Sequence, residues 1–128
     1  MSAQENKLFI ERYLAAMSGS DKAPAEVDRF VSDQDPELKE HIAMFEAAFP
    51  YYELVPDDLV AEADKVAVRA TFKGTHGGEL MGMPATGKEV VMSAMLIYRV
   101  VDNQIVEHWM NVDQLSLMQQ LGALPEMA

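Results

Sequence analysis

Apolar and polar positions alternate with two different periods, and the change divides the chain into a helical first part and a stranded second part. Phe9 or Ile10, Tyr13, Leu14 and Met17 recur at the spacing of one helical face. They predict a helix from a Ser2 cap to about Gly19, where glycine suits the stop. A short second helix is predicted from near Pro24, with Val27, Phe30 and Val31 facing inward. A third opens at Asp35-Pro36, a capping residue followed by proline at the first helical position. Leu38, Ile42, Phe45 and Phe49 carry its apolar face, and Pro50 ends it. Beyond Tyr51 the period falls to two. A strand is predicted to Glu62 with a break near Pro56-Asp57-Asp58. After a turn at Ala63-Asp64, Lys65 to Thr75 places Val66, Val68, Ala70 and Phe72 on one face and Lys65, Arg69, Thr71 and Lys73 on the other.

Residues 74–87 hold five of the seven glycines and read as a loop. Glu89 to Val100 and Gln104 to Val112 read as a hairpin about Asp102-Asn103, residues that tolerate the left-handed backbone of a two-residue turn. An unbroken register from that turn sets Tyr98 opposite Glu107, Leu96 opposite Trp109, Ala94 opposite Asn111 and Met92 opposite Asp113. Ser93, Met95, Ile97 and Arg99 then share the other face with Val106, His108, Met110 and Val112. Both faces are largely apolar, which predicts one face turned into the domain and the other into a partner subunit, hence a homodimer. Leu115 to Leu121 reads as a short helix stopped by Gly122 and Pro125. Helices followed by strands predict an α+β fold with helices gathered on an antiparallel sheet, in one domain spanning 1–128.

The absence of cysteine excludes disulfides and thiolate metal sites and suits a cytoplasmic location. The N-terminus lacks the basic and apolar regions of a signal peptide, and no apolar run is long enough to span a membrane. A net charge of −11 argues against nucleic-acid binding and for solubility. Ten methionines, six of them between Met81 and Met118, fit either a core or an adaptable pocket lining. The expected ligand is a small, largely apolar molecule.

Phosphate-loop, dinucleotide and His-Glu-x-x-His motifs are missing. His41, His76 and His108 match no metal spacing, so no metal is expected. Asp113 follows Trp109 and Asn111 at two-residue steps on one face. Beside Trp and Met in a dry pocket its pKa would rise toward the range of a general acid–base. It also directly precedes the last helix, where an aspartate commonly serves as a cap. His76, in the glycine-rich loop, is a candidate donor over a pocket mouth. Trp109, Met92 and Tyr13 are candidate walls, Asn111 a candidate orienting group, and His108 a candidate binding, core or interface residue. His41 reads as a surface residue, and Arg99 with Glu107 as a structural pair.

Several stretches resemble the SnoaL-like polyketide cyclases, also called ester cyclases. They are Gly74-Thr75-His76, Gly78-Glu79, Gly82, Pro84 and Thr86-Gly87-Lys88, then Ile97-Tyr98-Arg99, Ile105-Val106-Glu107-His108-Trp109 with Asp113, and Gln119-Gln120-Leu121-Gly122. Ala48-Phe49-Pro50 and Asp58 to Glu62 add to the match, which covers roughly residues 40 to 122. The resemblance implies a nuclear-transport-factor-2-like cone, with about three helices on a strongly curved sheet around a pocket. It implies cofactor-free intramolecular aldol cyclisation, with the Trp-x-x-x-Asp pattern placing the acid–base role on Asp113. Ala85 replaces a frequent second proline, and the short stretch between the second and third helices implies a smaller or more open pocket. The alternatives are a non-catalytic binding domain for an apolar metabolite, or an isomerase or hydrolase on the same fold.

Overall fold

The computed structural model describes residues 2–122. Four helices are present among them: α1 (Ala3–Met17), α2 (Pro24–Phe30), α3 (Pro36–Ala48) and α4 (Gln114–Leu121). Between α3 and α4 run β1 (Glu53–Glu62), β2 (Lys65–Thr75), β3 (Glu89–Val101) and β4 (Gln104–Val112), an antiparallel sheet in that order. Ser2 caps α1 with a reciprocal capping box to Glu5. Asp35 caps α3 with Pro36 next in line, and Gly122 ends α4 in a left-handed conformation. Pro125, the other expected stop, lies outside the described residues.

The predicted apolar faces form the core. Phe9, Ile10, Tyr13, Leu14 and Met17 of α1 pack with Val27 and Val31, with Leu38 and Ile42 of α3, and with Val66, Val68, Leu96 and Tyr98 of the sheet. A second cluster joins Phe49, Tyr52 and Phe72 to Leu80, Val90, Met92, Leu117 and Leu121. Helices therefore cover one sheet face and leave the other open. The expected break in β1 is a register shift between Pro56 and Asp58. Buried Asn6 of α1 donates to Ala63 O across 3.1 Å, tying the helix to the β1–β2 turn.

The loop, residues 76–88 between β2 and β3, is anchored at the C-terminal end of α3. Backbone N–H groups of Gly77 and Gly78 donate to Ala48 O at 3.0 and 3.1 Å, satisfying a carbonyl the helix leaves free. A Cβ at Gly78 would run into the Ala47 carbonyl oxygen, so this approach requires glycine.

The hairpin corrects the register read from sequence. Asp102 and Asn103 form the expected turn, with φ of 50° and 59°, and Val101 pairs with Gln104. The ladder then slips. Val100 pairs with Ile105 but Arg99 pairs with Glu107, so Val106 is the extra residue of a bulge. From there every β4 side chain is on the face opposite to the one expected. Tyr98, Leu96 and Ala94 oppose His108, Met110 and Val112 on the inner face, while Glu107, Trp109 and Asn111 turn outward. The gain is physical. An unbroken ladder would press Glu107 against buried Tyr98; the bulge sets it beside Arg99 instead, at 3.8 Å.

Candidate active site

The slip brings a titratable pair into the space between α3 and the sheet. His108 Nδ1 lies 2.6 Å from Asp35 Oδ2, and the two side chains are only 5% and 7% exposed. The other carboxylate oxygen of Asp35 accepts from Leu38 N at 3.1 Å as the helix cap. One aspartate thus closes the first turn of α3 and holds the imidazole. An ionised carboxylate only accepts, so a hydrogen bond in this pair takes its proton from His108 Nδ1, and in the neutral ring the lone pair then falls on Nε2. His41, one turn into α3, meets His108 edge-on with ring centroids 5.8 Å apart. It is half-buried rather than a simple surface residue, and its Nδ1 has no hydrogen-bond partner.

Farther along the same faces of α3 and β4 is an apolar cavity of about 50 Å³, walled on the sheet side by Met92, Ala94, Leu96 and Met110 and on the other by Phe45 and Tyr52. The placement is built into the elements. Phe45 sits one helical turn beyond His41, and Met110 two residues beyond His108 on the same face. Tyr52 is the one lining residue with a polar side-chain group. Burial, followed by nearby Glu46, pushes its phenol well above the ordinary value, so it stays neutral and able to donate. Buried Lys22 braces it from behind, with Nζ 3.8 Å from the ring centre, 3.0 Å from Tyr52 O and 2.7 Å from Glu46. Tyr13 and Tyr98 meet edge-on at 5.6 Å deeper in the core, and burial raises both phenols as well.

The sequence candidates separate into three places. Met92 lines the cavity, His108 precedes the lining Met110 by two residues on the same face of β4, and Tyr13 packs against Tyr98. Trp109 and Asn111 lie on the outer face, around a shallow depression with Ala67, Met95 and Ile97. Asp113 is exposed and accepts from Ser116 N at 3.0 Å, capping α4. This corrects the expected dry setting for Asp113: the bulge at Val106 sends that row of residues outward. His76 does not overhang a mouth. It is fully buried against Phe49, with Nδ1 facing the Thr86 hydroxyl at 3.0 Å and Thr86 N at 3.2 Å. Asp35 went unrecognised as a site residue because its capping signal was complete in itself.

A helical layer on a curved antiparallel sheet, closing over an internal cavity, defines the nuclear-transport-factor-2-like class. The chain superposes on AclR, a candidate hydroxylase from Streptomyces galilaeus, with TM-score 0.85 and 28% identity over 99% of this chain and 87% of that one. It matches TsrD from Streptomyces laurentii at TM-score 0.82 and 27% identity, covering 97% and 99% of the two chains. IdmH, a candidate polyketide cyclase from Streptomyces antibioticus, matches at TM-score 0.75 and 26% identity over 92% and 99%. No curated protein matches. Residues 12–121 match the family model of the SnoaL-like polyketide cyclases, and the chain belongs to that family.

Proposed function

We propose that the chain is an acid–base enzyme of polyketide or ester cyclase type, acting without a cofactor on a compact, largely apolar molecule with an activated carbonyl. The observation that carries this reading is the buried His108–Asp35 pair on the sheet face that also walls the apolar cavity. Neutral His108 takes a proton on Nε2 from a carbon flanked by carbonyls, and Asp35 steadies the imidazolium that forms. The resulting enolate attacks a second carbonyl of the same molecule, forming a carbon–carbon bond and an alkoxide. His108 then returns its proton to the alkoxide. A neutral Tyr52 hydroxyl is suited to steady the oxyanion. The assignment of this role to Asp113, implied by family resemblance, is the alternative.

The cavity of about 50 Å³ is far below the roughly 300 Å³ of ordinary ligand pockets, so a substrate must widen it. Met92 and Met110 are flexible, and half-buried Phe45 can swing outward. The outer face supports a homodimer, since Val91, Met95, Ile97 and Trp109 are each at least 40% exposed there. None of the described helices is long and apolar enough to cross a membrane. The acidic, cysteine-free composition fits work in the cytoplasm.

The test is proton–deuterium exchange at the acidic carbon of small 1,3-diketones, followed by NMR. Accelerated exchange supports the enzyme. Tight binding with no exchange by any member of a graded set supports a metabolite-binding domain instead.

A further inference from the structure

Glu37, His41 and His108 converge although spacing gave no reason to group them. One ligating atom from each lies within 4.8 Å of the other two. Glu37 and His41 are a turn apart on α3, with Glu37 Oε1 3.9 Å from His41 Nε2, and His108 reaches them from the sheet. Three further features go beyond mere proximity. The His108 side chain is only 5% exposed, and its Nδ1 is engaged by Asp35, which leaves Nε2 to face a ligand. A metal-bound histidine commonly gives its second nitrogen to a carboxylate in this way, which fixes the ring and strengthens the ligand. His41 Nδ1 is buried without a partner, a state that costs free energy unless something else satisfies it. Glu37, by contrast, is exposed, so one side of the cluster stays open to solvent.

We propose that Glu37, His41 and His108 form a binding site for a divalent transition cation of the zinc, cobalt or nickel type, with Asp35 holding His108 from behind. Two imidazoles and one carboxylate suit those ions and not magnesium or calcium, which take oxygen ligands. Three protein ligands leave a further position free for water or a small molecule. An ion on His108 Nε2 removes that atom from proton transfer, so metal occupancy and use of His108 as a base are mutually exclusive states of one site. The proposal does not depend on the enzyme reading, because its test contains no substrate.

The full chain, freed of metal with a chelator, is titrated with Zn²⁺ by calorimetry. Long-range proton–nitrogen NMR of the histidine rings is recorded at each addition. The expected result is one ion per chain at micromolar affinity, with His108 Nε2 and one nitrogen of His41 shifting together while His76 stays put. His41→Gln lies on a half-exposed helical position and should fold normally; it is expected to lose most of the affinity. Asp35→Asn, which removes the charge behind His108, should weaken binding by roughly 10- to 100-fold. Binding unchanged by His41→Gln, or no binding below millimolar Zn²⁺, would overturn the site.

Discussion

Asp35 answers to two neighbours at once: its Oδ1 caps α3 through Leu38 N, and its Oδ2 meets His108. Removing it costs both contacts in a buried place. Asp35→Ala should lower stability by about 2–4 kcal/mol, from a lost cap near 1 kcal/mol and a buried ring N–H left without a partner. Asp113 is the contrast, an exposed cap with no second duty, and Asp113→Ala should cost only about 0.5–1 kcal/mol. Urea unfolding of the two variants side by side measures the difference; equal costs would remove the double role of Asp35. At this scale the sequence showed half of the truth. Capping is local and leaves a clear mark, whereas the pairing of Asp35 with a histidine 73 positions away depends on where the sheet puts that histidine.

The hairpin shows why the site itself was harder to read. The alternation of β2 and the Asp102–Asn103 turn were legible, and the structure follows them. The Val106 bulge was not, because either row of β4 mixes apolar with polar residues. His108 travels with Met110 and Val112, and Trp109 travels with Glu107, Asn111 and Asp113. One signal was present: the second row holds three hydrophilic residues and the first only one, which favours burying the first. Deleting Val106 should remove the bulge and leave an unbroken ladder in the observed pairing, with Arg99 opposite Glu107 and Tyr98 opposite His108, so that Met110 and Val112 stay inward. The expected cost is about 1–2 kcal/mol with cooperative thermal unfolding retained, whereas loss of cooperative unfolding would show that the β4 face had flipped. Sheet-edge ion pairs act more gently. Arg99, 2.7 Å from Asp64, holds that carboxyl below its ordinary value of 3.8. A folded-state pKa that is depressed contributes stability above the unfolded value, and the contribution is lost as pH falls through the folded one. Arg99→Gln should therefore lower the melting temperature slightly at neutral pH and converge with the wild type as pH falls through the lowered value of Asp64.

For the whole molecule, the helix–strand order and the family resemblance led to the observed cone, and family and fold neighbours agree with both. The size of the cavity was only hinted at, by the short stretch between α2 and α3. Its volume depends on how Phe45, Phe72, Met92 and Met110 fill the space together, which no local pattern records. Phe45→Ala should enlarge the cavity and tighten binding of small apolar probes, at a stability cost of about 2–3 kcal/mol for a half-buried ring. Tighter binding would mark Phe45 as the residue that limits access; unchanged binding would place the limit elsewhere. The open sheet face carries a separate expectation. Sedimentation at micromolar concentration should give twice the 14.2 kDa chain mass, and Met95→Glu should return it to one.

The central claim is that His108, not Asp113, moves the proton. The measurement is the rate of proton–deuterium exchange at an activated carbon, compared between His108→Gln and Asp113→Asn after both variants are shown to be folded. The account predicts a loss of roughly 100-fold or more for His108→Gln and a rate close to the wild type for Asp113→Asn. Exchange that survives in His108→Gln and collapses in Asp113→Asn would contradict it.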